Sequence, residues 1–242
     1  MPGRAYIDLH CHTGASFDSL ADPRAVVRAA AARGLTHLAI TDHDRIDGAL
    51  RARDAAPSGL AVIVGEEVRT AEGDLVCLFI ERPVPPHRPA AETIAAVREQ
   101  GGLVGIPHPF DRFRGSLLRD ARLEGLAGQV DWVEAHNARV VGGSANERAA
   151  AFARDHGLPG VAVSDAHSTV EVGVAYTILE GDPSTPAGLL AALSAIDVIA
   201  GRASYYVRLI TPVAKGVNRL RGNVRVRDPG SGSAADTEIG RP

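Results

Sequence analysis

Lysine occurs once in this chain of 242 residues, at position 215; the remaining basic side chains are all arginine. Two cysteines, Cys11 and Cys77, are too few for a disulfide framework, and reduced thiols in a cytoplasmic protein are the expectation. Aromatic residues make up only 4% and form no ladder of the kind that stacks single-stranded bases. Charge of one sign is missing too. The net charge of −3 leaves no global basic field that would argue for nucleic acid or an anionic membrane surface. No apolar run approaches the roughly 20 residues needed to cross a bilayer. The start, MPGRAYIDLH, lacks the apolar core of a signal peptide.

What is present is a 45% hydrophobic chain, enough for one sizeable core, whether a single α/β barrel or two small domains. Short apolar runs alternate with helical patterns. The strand candidates are AYIDLH, THLAIT, LAVIVG, LVCLFI, LVGIPH, DWVEAH and GVAVSD. Asp22 reads as the cap of a helix with Pro23 first inside and Gly34 just past its end. PAAETIAAVREQGG, SANERAAAFARDHG and STPAGLLAALSAI are three further helices. Two extended runs around Glu72-Gly73 predict a hairpin. Strands alternating with helices imply a parallel sheet, open or closed into a barrel. Beyond Thr211 the pattern fades. Residues 212–242 read as a basic segment followed by a Gly/Ser/Pro-rich tail, partly disordered, after a single domain over 1–211.

Nearly every strand candidate ends in a residue able to hold a metal. In YIDLHCHT a regular strand turns Asp8, His10 and His12 to one face and Leu9 and Cys11 to the other. Alone, that stretch fits two partly exposed histidines as well as a metal site. The other strands add Asp42 and His43, Glu66 and Glu67, His108, Glu134 and His136, and Asp165 and His167. In barrels and doubly wound sheets the C-terminal strand ends gather at one face. Imidazoles and carboxylates without cysteine suit Zn, Mn or Fe(II) in open sites. Roughly eight ligands exceed the needs of one ion, so two or three divalent ions with bridging carboxylates are implied. Paired ions are a common device for hydrolysis at phosphorus.

The ordered strings DLHCHT with Asp18 downstream, GLTHLAITDHD, GEE, PHP and SDAH resemble the PHP (polymerase and histidinol phosphatase) phosphoesterases over about residues 5–180. The resemblance implies a distorted TIM-like (β/α)7 barrel with a trinuclear centre. It would have His10, His12, Glu67 and Asp165 hold the first ion. Glu67 would bridge to a second ion also bound by His108, and Asp18, His43 and His167 would hold the third. It further implies hydrolysis of phosphate esters by direct attack of a metal-activated hydroxide on phosphorus, with no covalent enzyme intermediate. His10, His12, Glu67, Asp165 and His167 would be the catalytic set, His167 being one candidate acid for the leaving group. One departure stands out. Where some members have a further histidine, this chain has Gln129, so the second ion would be short of a protein ligand; His136 is a candidate substitute.

Arg112, Arg114 and Arg139 follow strand ends on the predicted catalytic face and are candidates to clamp a substrate phosphate; solvated surface charges are the alternative. Asn137 and Asp42 are read as orienting residues, His37 and His156 as structural, Cys11 as a core thiol, and His87 as part of a surface loop. Lys215, Arg219, Arg221, Arg225 and Arg227 form a basic run, read as a solvated helix or strand in preference to a nucleic-acid patch. The expected partner is a small phosphomonoester or nucleotide, with no membrane. Rival readings are a nuclease acting on nucleic-acid ends, a metal-dependent amidohydrolase, and an inactive binding module. A bridging modified lysine, common in amidohydrolases, has no counterpart in the barrel region.

Overall fold

The computed structural model describes residues 3–111, 120–142 and 144–226. Arg112, Arg114 and Arg227 lie outside them. Strand β1 (Arg4–Asp8) is followed by α1 (Pro23–Ala32), β2 (His37–Ile40), α2 (Asp47–Asp54), β3 (Ala61–Arg69) and β4 (Asp74–Leu78). Next come α3 (Ala90–Arg98), β5 (Leu103–Ile106), α4 (Asp120–Leu126), β6 (Trp132–Asn137), α5 (Ser144–Asp155) and β7 (Gly160–Val163). The chain continues through β8 (Tyr176–Glu180), α6 (Pro186–Ala192), β9 (Ile196–Ile199), a 3-10 turn at Tyr205–Leu209 and α7 (Ile210–Leu220).

The strands lie in the order β7-β6-β5-β4-β3-β2-β1-β8-β9. Neighbours β1-β2, β2-β3, β5-β6 and β6-β7 pair in parallel. Strand β4 is antiparallel to both β3 and β5, as the hairpin at Glu72-Gly73 predicts. The nine residues of β3 serve both partners: Ala61–Val64 pair with β2 and Gly65–Arg69 with β4. The sheet curls into a nearly closed barrel, and its seam is asymmetric. At the C-terminal end the continuations of β1 and β7 meet in a parallel bridge, Cys11 with Ala166. His12 N donates to Ala166 O at 2.8 Å and Asp165 N to His10 O at 2.9 Å. At the other end β8 pairs antiparallel with β1, and the Thr177 hydroxyl bonds both the N–H and the carbonyl of Ala162, each at 3.0 Å.

Apolar side chains fill the interior: Ala5, Ile7 and Leu9 of the first strand meet Ile63, Val76, Leu103, Trp132 and Val161, with Leu189 and Leu193 at and just beyond α6 packed against them. A second layer joins β1 and β2 to α1 and α2 and contains Cys11, Val27, Leu38 and Ala49. Leu9 and Cys11 therefore sit in different layers, not on one regular face as the alternation predicts. The pleat breaks after Asp8, where β1 ends. Asp8 is fully buried, and its carboxylate accepts from the N–H of His10 (3.4 Å), Ser164 (3.0 Å) and Gly173 (3.2 Å). Those bonds replace the ladder and re-aim the two histidines.

Local signals explain α1: Asp22 Oδ1 accepts from Arg24 N at 2.9 Å and Ala25 N at 3.2 Å, Pro23 opens the helix, and Gly34 leaves it at φ +79°. Helices α2 and α4 and strands β8 and β9 were not among the expected elements, and α7 was expected only as a solvated helix or strand. Helix α2 has no side-chain cap to announce it. Among the described residues no helix is long and apolar enough to cross a membrane.

Candidate metal centre

The eight donors named from sequence converge, seven of them from the C-terminal ends of five strands. His10 and His12 follow β1, His43 follows β2, Glu67 lies within β3, His108 follows β5, and Asp165 and His167 follow β7. Asp18 comes from the loop between β1 and α1. All eight are buried or nearly so. Two of them, His108 (φ +27°) and Asp165 (φ +52°), hold positive φ, a costly conformation for a side-chain-bearing residue and one often found at functional sites.

One cluster joins His10, His12, Glu67 and Asp165. Glu67 Oε2 lies 3.3 Å from His10 Nε2 and 3.4 Å from His12 Nε2. Asp165 Oδ1 lies 3.8 and 3.6 Å from the same two nitrogens. Ligands at about 2.0–2.2 Å from a tetrahedral Zn centre are about 3.3–3.6 Å from each other. The two nitrogens themselves are closer, at 2.9 Å. His10 Nδ1 donates to Glu134 Oε1 at 2.6 Å, which commits its proton and leaves the Nε2 lone pair facing the cluster. Burial works to lower the pKa of His10, yet the carboxylates of Glu134, Asp165 and Glu67 lift it well above its ordinary value. His12, pulled down by burial, is raised overall to about 9 by Asp165 and Glu67. Such a field calls for positive charge between the rings, which a divalent cation supplies.

The second cluster is Asp18, His43 and His167. Asp18 Oδ2 lies 3.3 Å from His43 Nε2 and 3.2 Å from His167 Nε2. Burial first, then Arg139, pushes the His167 pKa down to about 3, so its ring is neutral. Its Nδ1 donates to the Asp165 carbonyl at 2.9 Å, leaving a bare Nε2 lone pair pointed at a carboxylate oxygen. Two electron-rich atoms held face to face in a buried site fit a cation between them. His43 also links the clusters, with Nδ1 3.2 Å from Glu67 Oε2. The donor chemistry of both clusters fits divalent metal.

The place expected for a second, bridged ion is less complete. Glu67 Oε1 meets His108 Nε2 at 3.1 Å. Gln129 points elsewhere, its amide donating to Gly125 O at 2.9 Å. His136 does not substitute: its Nε2 donates to Gly201 O at 2.7 Å, and Nδ1 faces Asn146 Nδ2. Asp74 comes into reach instead. It groups with His43 and Glu67 as a third potential ligand set, one the strand-end reasoning missed because Asp74 starts a strand. Arg225 and Arg69 hold its Oδ1, at 2.9 and 3.3 Å.

Supporting bonds surround the donors. Asn137 Nδ2 donates to Glu134 Oε2 and Asp165 Oδ2, each at 2.9 Å, and Glu134 Oε2 also accepts from His108 N at 2.8 Å. Glu134 thus orients two histidines. Asp42 spends both oxygens on Thr13, the N–H at 2.6 Å and the hydroxyl at 2.7 Å. Glu66 faces away from the centre and accepts from Val84 N.

The centre opens into a cavity of about 510 Å³ whose walls include Phe17, Arg69, Arg139, Val141, Lys215 and Arg225. Arg139 is steadied by Thr211 Oγ1 at 2.7 Å and Glu171 at 3.5 Å. His87 lines the rim and donates to Val226 O at 2.9 Å.

The family model described as PHP domain matches residues 8–140. The chain belongs to the PHP family. A second model, PHP-associated, matches residues 143–198. Two uncharacterized proteins of Methanocaldococcus jannaschii are similar: one is 33% identical over 49% of this chain and 78% of its own length, the other 32% identical over 70% and 68%. A 5′-3′ exoribonuclease of Haemophilus influenzae is 34% identical over 43% of this chain and 42% of its own length. Among solved structures, a two-domain protein of Bacteroides vulgatus containing a predicted PHP-like metal-dependent phosphoesterase aligns with TM-score 0.69 at 18% identity, over 83% of this chain and 66% of that one. The lesion-specific endonuclease EndoQ of Pyrococcus furiosus aligns with TM-score 0.58 at 16% identity, over 81% and 58%. These likenesses confirm the PHP barrel fold.

Proposed function

We propose that this PHP chain is a metal-dependent hydrolase of phosphate esters, acting on a small phosphomonoester or a nucleotide. The observation that carries the reading is the first cluster: two imidazole nitrogens and two carboxylate oxygens surround one point at separations close to those of ligands on a tetrahedral ion. Zn, Mn or Fe ions held by the two clusters, and a further ion on Glu67 and His108, would supply Lewis acidity toward phosphorus and an acidified water.

The chain's own side chains do the rest. Glu134 and Asn137 fix the orientation of His10 and Asp165, and the Asp165 carbonyl fixes the tautomer of His167. Arg139, buried and steadied by Glu171 and Thr211, can pair with a substrate phosphate from the cavity wall. His167, considered from sequence as an acid for the leaving oxygen, is neutral with its one N–H on the Asp165 carbonyl, so its role is to hold an ion with Asp18 and His43 rather than to deliver a proton. Direct attack without a covalent intermediate is the reading the donor set favours, because the ions it would hold would themselves supply an acidified water. Cys11 and Cys77 are fully buried, and burial raises both thiols well above their ordinary value. The volume suits a nucleotide-sized ligand.

A nuclease acting on nucleic-acid ends is the second reading, favoured by the exposed Lys215 at the cavity rim. The amidohydrolase reading loses its bridging lysine, because this sole lysine lies on α7 at the rim.

The test is a panel of sugar phosphates, mononucleotides, 3′,5′-bisphosphates, histidinol phosphate and short oligonucleotides on Mn- and Zn-reconstituted protein. At least one ester should be cleaved, and His10→Ala should lower both bound metal and turnover by more than roughly 100-fold, beyond what loss of a supporting bond costs. No cleavage with any metal, together with unchanged metal content in His10→Ala, would overturn the reading. Oligonucleotide cleavage that weakens steeply with salt would select the nuclease.

A further inference from the structure

The loop that carries Asp18 is short of internal backbone bonds. Between Gly14 and Ala21 its own backbone bonds are few: Ser16 N to Thr13 O at 3.0 Å, Ser19 N to Ser16 O at 3.4 Å, and Gly14 N to Ala21 O at 2.6 Å. Side chains add Ala15 N to Thr13 Oγ1 and Ala21 N to Ser19 Oγ, each at 3.2 Å, and Ser19 Oγ ties the loop to His167 O at 2.9 Å. The carbonyls of Ala15, Ser16, Phe17 and Ser19 all accept from side chains about 200 residues later, and Ala15 O accepts from Arg45 as well, at 2.9 Å. Asn218, on α7 and 2% exposed, aims its amide nitrogen at Ser16 O (3.1 Å), Phe17 O (3.1 Å) and Ser19 O (2.9 Å). Asn223 donates to Ala15 O at 3.0 Å and Ser16 O at 3.4 Å, and its own carbonyl accepts from Arg45 at 3.1 Å. Within the loop, Ser16 Oγ donates to Asp18 Oδ1 at 2.7 Å, so Oδ2 is the oxygen turned to His43 and His167. The first cluster has no such dependence. Its four donors stand on or directly after β1, β3 and β7 and are braced by Asp8, Glu134 and Asn137.

We propose that the C-terminal segment, through Asn218 and Asn223, is the positioning element of the Asp18-His43-His167 site, so that this ion position is formed or lost independently of the one at His10-His12-Glu67-Asp165. The inference rests on reading both clusters as ion positions. A donor amide at 218 holds three carbonyls at one point, which sets the loop's path and, through Ser16, the direction of Asp18. Asn223 and Arg45 pin the entry to the same loop. Arg225 completes the attachment by pairing with Asp44 at 3.1 Å and Asp74 at 2.9 Å. Neither asparagine reaches a donor atom. Both are positioning residues.

The experiment uses the full chain, stripped of metal and titrated with Zn or Mn, with bound ions counted by elemental analysis after dialysis. Asn218→Ala, Asn218→Asp and Asn223→Ala are compared with wild type and with Asp18→Asn. Each asparagine variant should weaken one class of ion by about tenfold or more, the scale of lost supporting bonds. The remaining ion should bind as in wild type, and Asp18→Asn should show the same split. Turnover should recover at high metal concentration with KM for the ester unchanged, which general loss of structure would not produce. Asn218→Asp keeps the shape of the side chain while replacing its donor with acceptors, so it should behave like Asn218→Ala. In the metal-free protein, amides of residues 14–20 should exchange faster in both asparagine-to-alanine variants while those of β1 and β7 stay protected. Wild-type ion number and affinity in these variants, or equal loss of both ions, would overturn the proposal. If Asn218→Ala does not fold, Asn223→Ala and the exchange pattern decide it. A wild-type chain that binds no metal would overturn the reading of the clusters instead, and the exchange experiment tells the two failures apart.

Discussion

Nine histidines occur in the chain, and residue type alone does not sort them. Five face carboxylates across the centre. The other four are engaged elsewhere: His37 with Thr36 and Ser184, His87 with Val226, His136 with Gly201, and His156 with Phe152 and Glu124. His37 gives a pH prediction. Burial lowers its pKa below the ordinary 6.5, an effect only partly offset by Asp182. The unfolded chain therefore takes up the proton first as pH falls. The stability this group contributes is intact above 6.5 and is lost below it, toward the folded value. Urea midpoints at about pH 8 and about pH 5.5 should fall further in wild type than in His37→Gln. An equal fall in both would remove His37 from the account. At this scale the ordered motifs made the eight donors legible. Asp74, and the engagement of His136 with Gly201, depend on contacts between distant segments that no local pattern encodes.

Among the elements, the strand ends were readable because strands buried on both faces are apolar up to the point where they meet the site. The hairpin was readable from Glu72-Gly73. Helices α2 and α4 and the two antiparallel strands β8 and β9 were not, being short. Helix α7 was legible only as a solvated helix or strand, because it is held largely by Asn218 and Arg139 bonding at a distance, while Leu209, Val213 and Leu220 beside or within it remain exposed. Strand pairing also explains one glycine. Gly105 in β5 stands in register with Trp132 in β6, and a Cβ there would collide with the fully buried indole. Gly105→Ala should destabilise the protein by about 1–3 kcal/mol through overpacking. Chemical denaturation checks this, and a change under about 0.5 kcal/mol, the size of an ordinary surface substitution, would show that the indole can move aside.

For the whole molecule, buried carboxylates and imidazoles concentrated at one end of the barrel tie folding stability to the ions. An ion present at a hundredfold over its Kd adds about 2.7 kcal/mol if it binds only the folded state. For a chain of this length that is a rise in Tm of about 5–10 °C. Chelation should lower Tm by about that amount per ion, and Zn or Mn should restore it. A Tm indifferent to chelator would mean that the clusters are satisfied by protons alone.

The seam between β1 and β7 has a consequence for biosynthesis. His10 and His12 leave the ribosome about 155 residues ahead of Asp165 and His167, roughly 8–30 s at ordinary rates of elongation. Throughout that interval the nascent chain displays a pair of histidines with half of their partners still unmade. If the cluster is an ion position, selectivity for the correct ion would wait until β1 and β7 join, so loading would follow the synthesis of β7 rather than accompany that of β1.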